Sequence, residues 1–383
     1  MFFRMHIRIV YLALAAVFSN PLAAYAAGPA LPLPVSIEKI DSIKIGESRE
    51  FWVSLPDLYN ESSEKYPVLY MMDGDFNFNS GMIGGLRHAA QMGEMPEFII
   101  VGIKNTDRSK DIFPEEITYG DGSKGGGRAD QYLDFIVAEL IPHINKNYRC
   151  ENFRVLYGTS NTGFTAVHAL FRNPELADFY VAASATLRLP FFLAKRDQLI
   201  GDFKGGKRQL VLVMGEHDLP TVLSQNGELK EKIDMLAPPD LTCRFAVIAN
   251  GGHVPANALL EGMRSRFEGW KISRPLVENT FAEIRAHVDK RFEKYGISGM
   301  LPEDELKNLG ESLIGEKKYA KVLDVAQYRV ACYPGSADAR VSLGDAYREI
   351  GKPEKARECF KKALALAPEH AAAAAKLEEL GGK

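Results

Sequence analysis

The sequence is poor in cysteine, with four in 383 residues, and no two of them form a CxxC pair. That excludes a disulfide-dense scaffold and argues against a zinc ribbon. Neither charge sign is in large excess: 47 Lys and Arg stand against 50 Asp and Glu, a net −3. No basic field covers the chain, so nucleic acid is not an expected partner. The composition, 46% hydrophobic and 25% charged, is that of a soluble globular protein and not of a disordered, collagen-like or coiled-coil rod. Beyond the N-terminus no apolar run is long enough to cross a bilayer. A chain of this length exceeds most single domains, and a large domain with a smaller one is expected.

The first 26 residues read as an address. Arg4, His6 and Arg8 form a positive start, residues 9–18 are apolar and uncharged, and Pro21 breaks the run. Ala24-Tyr25-Ala26 then offers small residues at the two positions a signal peptidase reads, which predicts cleavage after Ala26. The apolar run is shorter than the roughly 20 residues a bilayer requires, so no stable membrane anchor is expected. Losing Arg4 and Arg8 takes the net charge from −3 to −5. The expected location is periplasmic or secreted, where disulfides are permitted. Cys150 with Cys243, and Cys332 with Cys359, are the candidate couples; free thiols are an equal reading.

Between residues 36 and 275, short apolar runs alternate with helical patterns. Runs at 68–72, 98–103, 153–157, 179–183, 210–214 and 244–249 read as buried strands. Residues 131–141, with Tyr132, Phe135, Ile136 and Leu140 at helical spacing, read as a helix. The alternating stretch 48–53 predicts an antiparallel edge. Together these predict an α/β fold with a mostly parallel central sheet covered by helices. From about residue 300 the pattern changes: Leu309-Gly310 recurs as Leu343-Gly344, and Pro334 as Pro368, both at the 34-residue tetratricopeptide period. Leu343, Gly344, Tyr347, Ala356, Phe360 and Ala363 occupy the packing positions of that motif; Leu313, Val322 and Ala326 mark a degenerate first copy. Two repeats bury little alone, so they are expected to lean on a helix at 276–295 or on the main domain, with 371–380 as a cap. The resulting map is 1–26 signal peptide, 27–275 main domain, 276–300 connector and 301–383 repeats.

Gly158-Thr159-Ser160-Asn161-Thr162-Gly163 follows an apolar run and opens a helical pattern, the arrangement that lifts a serine out on a sharp strand-to-helix turn. The second glycine usual in such a turn is Thr162 here. A serine needs a base, and the base a carboxylate, to become nucleophilic. In this architecture they follow in the order Ser, acid, His on later strand ends. Gly215-Glu216-His217-Asp218 and Asn250-Gly251-Gly252-His253 supply both in that order. The turn pattern favours Asp218 over Glu216 as the acid, with His253 as the base and His217 a surface residue. The backbone N–H groups of Asn161 and of Asp75, with Gly74 as the alternative to Asp75, are the candidate oxyanion donors.

Tyr66-Pro67-Val68-Leu69-Tyr70-Met71-Met72-Asp73-Gly74-Asp75, then Val101-Gly102-Ile103-Lys104-Asn105-Thr106-Asp107-Arg108, then residues 133–148, resemble the esterase family that includes esterase D, the enterochelin esterases and the mycolyltransferases. The likeness spans about 36–275. It implies an α/β-hydrolase acting on a small-molecule ester through serine chemistry without a cofactor or metal, with Ser160 as nucleophile, His253 as base and the acid after Gly215. Members with a tetratricopeptide tail fit the C-terminal repeats. Asn105 and Arg108 lie at a strand end on the same face; lining the substrate site and forming a loop-stabilising Asp–Arg network are both open to them. The glycine-rich run 122–127 lacks the Lys-Ser/Thr of a phosphate loop and reads as a mobile loop at the site. Two further functions compete with ester hydrolysis: acyl transfer to an alcohol, and a catalytically weak scaffold whose repeats bind a protein partner or a second copy.

Overall fold

Apolar runs bounded by turns become strands because both faces of a parallel sheet are covered by helices. The computed structural model describes residues 35–118, 122–270 and 280–381. The expected signal peptide at 1–26 lies outside them. The strands in chain order are β1 (Val35–Ser42), β2 (Glu47–Ser54), β3 (Tyr66–Met71), β4 (Ile99–Ile103), β5 (Glu116–Thr118), β6 (Lys124–Gly126), β7 (Cys150–Thr159), β8 (Phe179–Ala183), β9 (Arg208–Gly215) and β10 (Leu241–Ile248). Eight of them form one sheet in the order β1-β2-β4-β3-β7-β8-β9-β10. β2 pairs antiparallel with β1 on one side and with β4 on the other, and every other pairing in this sheet is parallel. Every residue of β3, β4 and β8 is buried, whereas the edge strands β1 and β10 alternate toward solvent. The antiparallel stretch around 48–53 is β2, one strand in from the edge, because β1 pairs along its whole length.

The helices of the main domain are α1 (Gly74–Asn77), α2 (Met82–Gln91), α3 (Arg108–Asp111), α4 (Ala129–Phe135), α5 (Ile141–Asn147), α6 (Ser160–Arg172), α7 (Pro190–Gly201), α8 (Pro220–Leu236) and α9 (Ala258–Arg266). The helix expected at 131–141 is longer. It runs from α4 to α5 through a π-helical turn at Ile136–Leu140, just before Pro142, which has no N–H to close an α-type bond. Within the glycine run at 122–127, expected as a mobile loop, Lys124–Gly126 pairs antiparallel with Glu116–Thr118. On one face of the sheet Tyr70, Leu156, Tyr180 and Leu212 lie on neighbouring strands and share a core with Phe164 of α6. The four cysteines are free thiols.

The tail continues with α10 (Phe281–Tyr295), α11 (Glu303–Gly315), α12 (Tyr319–Cys332), α13 (Ala337–Glu349), α14 (Pro353–Leu366) and α15 (Ala371–Gly381). Thr280 and Glu283 cap the start of α10 reciprocally. α11–α12 and α13–α14 are the two repeat hairpins, and α15 covers the second. A Cβ on Gly344 would lie 2.4 Å from the Phe360 ring, so glycine there lets α13 and α14 close. Residues 34–383 form one unit, and the repeats lean on the main domain. Gly335 N–H donates to Glu61 O (3.0 Å), Met300 N–H to Glu64 Oε1 (2.8 Å), and Ser63 N–H to Cys332 O (3.3 Å). A cavity of about 370 Å3 remains at this junction, lined by Glu64, Tyr66, Glu97, Trp270, Phe292 and Tyr333 among others. The hydrogen bonds meet the segment that leads into β3, and the cavity also borders the segment that leads into β4, at the N-terminal ends of these strands.

Candidate active site

Ser160, Asp218 and His253 each follow the C-terminal end of a strand, β7, β9 and β10 respectively. Ser160 stands at φ 52°, a left-handed conformation that costs a non-glycine residue about 1–3 kcal/mol. The turn is tight enough to require glycine beside it: a Cβ on Gly158 would lie 2.1 Å from Thr162 O and 2.7 Å from Met72 Cε. Ser160 Oγ is 3.0 Å from His253 Nε2, and His253 Nδ1 is 2.8 Å from Asp218 Oδ1. The Asp218 side chain is fully buried, whereas that of His253 is 37% exposed, so the imidazole meets solvent on one side. Asp218 Oδ1 also accepts the Leu219 N–H at 2.7 Å. Its Oδ2 is buried with no hydrogen-bond partner.

The acid and histidine turns are locked to each other. A Cβ on Gly215 would lie 2.2 Å from Gly252 O, and His217 N–H donates to Gly251 O at 2.7 Å. Glu216 Oε2 accepts the Asn250 N–H at 2.9 Å, holding Asn250 at φ 56°. Of the two candidate acids, then, Asp218 meets His253 and Glu216 staples the histidine turn. Ser184, just past β8 at φ 48°, accepts the Val254 N–H on its hydroxyl at 2.9 Å, and Val254 itself stands at φ 52°. Nothing in the local sequence marks Glu216 or Ser184 for these roles; both depend on loops distant along the chain.

Asn161 lies in the first turn of α6 and Asp75 in the first turn of α1, where backbone amides have no intrahelical acceptor. Asn105 and Arg108 join the carboxylates after β3. Arg108 Nε and Nη2 donate to Asp73 at 2.7 and 3.1 Å, and Asn105 Nδ2 donates to Asp73 Oδ1 at 2.8 Å and Asp75 Oδ1 at 3.0 Å. The loop-network alternative is therefore what their side chains form. Asp107 caps α3, and hydrogen bonds from Ser109 and then Lys110 hold its carboxyl down at about 2. Three other histidines pair with acids, His143 with Glu38, His168 with Asp130 and His370 with Asp338. Among the described residues no group of three or more His, Cys, Asp or Glu is arranged to hold a metal.

A mixed, mostly parallel sheet carrying these groups on successive strand ends is an α/β-hydrolase fold. Residues 42–210 match the family model described as "Putative esterase", and residues 337–370 match the tetratricopeptide repeat. Over residues 42–210 the chain is similar to that esterase family, which supports a hydrolase acting on esters, and a helical-repeat tail follows. An IroE-like serine hydrolase from Shewanella oneidensis superimposes with a TM-score of 0.66 at 26% identity, covering 77% of this chain and 98% of that one. The siderophore triacetylfusarinine C esterase of Aspergillus fumigatus is 32% identical over 132 residues, 32% of this chain and 44% of that protein. The match therefore spans less than half the length of the fungal esterase. The siderophore hydrolase EstA from Aspergillus nidulans shares the fold, with a TM-score of 0.54 at 20% identity over 64% of this chain and 99% of that one.

Proposed function

We propose that the chain is an exported serine esterase in which Ser160, His253 and Asp218 act as nucleophile, base and orienting acid. The observation that carries this reading is the continuous line from Ser160 Oγ through the His253 ring to the buried Asp218, at 3.0 and 2.8 Å. His253 Nε2 takes the hydroxyl proton as Ser160 Oγ bonds to the ester carbonyl carbon. Asp218 holds the other ring nitrogen protonated and stabilises the imidazolium. The negative charge on the former carbonyl oxygen is met by the Asn161 and Asp75 amides. Collapse expels the alcohol, which receives the proton from His253; water then attacks the acyl-enzyme by the same proton route and releases the acid.

The substrate we propose is a small-molecule ester, with siderophore esters the first class to assay because the Aspergillus fumigatus relative is a siderophore triacetylfusarinine C esterase. The N-terminal pattern of residues 1–26 supports export to the periplasm or beyond. Acyl transfer would use the same groups, and product analysis separates it from hydrolysis. The test is hydrolysis of short p-nitrophenyl esters and of triacetylfusarinine C by wild type and Ser160→Ala. Activity confined to wild type is expected; equal activity in the two proteins would refute the reading.

A further inference from the structure

Thr162 stands where the usual elbow has glycine, and the chemistry above gives its side chain no task. It is 2% exposed. Its Oγ1 accepts the Thr159 N–H at 2.9 Å and lies 2.8 Å from Asp73 Oδ2 and 2.9 Å from Thr159 O. A hydroxyl has one proton to give, and a carboxylate is the stronger acceptor of the two. Thr162 therefore ties the residue that caps α6 to the carboxylate that follows β3.

Asp73 is more than a loop acid. It is 4% exposed, is held by Arg108 and Asn105, and stands at φ 53°. Its backbone O accepts the N–H groups of Phe76 (3.1 Å) and Asn77 (2.9 Å), which closes the turn presenting Asp75. The two proposed oxyanion donors thus belong to different segments. The β3–β7 ladder aligns those segments only as far as Met71 opposite Tyr157 and the bond from Met72 N–H to Tyr157 O. Past that point the Thr162–Asp73 hydrogen bond is a direct link between them. Oxyanion donors act only when set about 2.7–3.1 Å from the same oxygen, so the relative placement of the two turns decides whether both can serve.

We propose that Thr162 is a positioning residue that fixes the Asp75 turn against the Ser160 elbow, a link that the usual glycine cannot make. The inference rests on the serine-esterase reading above. Its effect falls on the transition state, where the oxyanion forms, and not on ground-state binding of the ester.

The test is steady-state hydrolysis of a p-nitrophenyl ester by the full chain as wild type, Ser160→Ala, Thr162→Val and Thr162→Ser, with thermal melting of each. Thr162→Val keeps the shape and removes the hydroxyl; a loss of roughly 10- to 100-fold in kcat with KM within about twofold is expected. Thr162→Ser keeps the hydroxyl and is expected to restore most of kcat. Were Thr162→Val to lose cooperative melting, Thr162→Ala, which makes no new contact, decides on the same criterion. A kcat within about twofold of wild type, or a loss appearing in KM alone, would overturn the proposal. So would a Thr162→Ser variant as impaired as Thr162→Val. Activity surviving in Ser160→Ala fails the esterase reading itself, whereas a Ser160-dependent activity indifferent to Thr162→Val fails this inference alone.

Discussion

Replacing Glu64 by Gln should stabilise the protein above neutral pH and leave it unchanged in acid. Glu64 faces the junction cavity and accepts the Met300 N–H at 2.8 Å. Burial pushes its carboxyl from 4.5 up to about 7, against the Met300 hydrogen bond, with repulsion from Glu97 and Glu151 adding to the rise. The folded protein therefore holds this proton between about pH 4.5 and 7, where the unfolded chain has lost it. Stability is greatest below the lower value, falls as pH rises through the window, and stays reduced above it. Each tenfold in proton affinity is 1.36 kcal/mol, which sets a ceiling of about 3 kcal/mol; partial solvent screening lowers it to roughly 1–3. Gln keeps the carbonyl for Met300 and carries no charge at any of these pH values. Urea denaturation of both proteins at pH 4.5, 6 and 8, followed by fluorescence of Trp270, which is 1% exposed beside this junction, measures the difference. E64Q should exceed wild type by roughly 1–3 kcal/mol at pH 8 and match it at pH 4.5. A difference absent at pH 8, or constant across the range, would refute the reasoning.

Three other substitutions probe separate links. Asp218→Asn removes the charge that stabilises the His253 imidazolium, lets an amide N–H face Nδ1 and so favours the wrong tautomer, and should lower kcat by about 10³–10⁴, as the equivalent change does in serine proteases. Glu216→Gln keeps an acceptor for the Asn250 N–H and should leave kcat within about threefold of wild type; stopped-assay kinetics on both variants separate the two carboxylates. Gly344→Ala places a Cβ against the Phe360 ring and should cost about 1–3 kcal/mol by denaturant titration while ester hydrolysis is unchanged.

Strand interiors were legible because β3, β4, β8 and β9 are apolar runs buried on both faces. Their ends were not. β7 begins at Cys150 with Cys-Glu-Asn, three residues with no strand signature; Cys150 pairs with Tyr66, and a bulge follows before Arg154 pairs with Val68. β1 is half exposed and mixes charge with Ile and Val, so its pairing with β2 is a tertiary result. At the site, the order of Ser160, Asp218 and His253 could be read because each follows a strand end. The turn pattern pointed to Asp218 over Glu216, but the Glu216–Asn250 contact could not be read, since it depends on how two glycine-bearing turns press together. Nor could the Thr162–Asp73 bond, which joins residues 89 apart in sequence. The repeat period exposed the tail, but its seat on the segment before β3 follows from contacts that no spacing encodes.

That seat makes the sheet a spacer. The repeats grip the starts of the parallel strands and the serine stands past their ends, with β3, of six residues, setting a separation on the order of 20 Å. A ligand held by the tail would neither block nor line the ester site, so turnover and tethering can be titrated independently on one molecule.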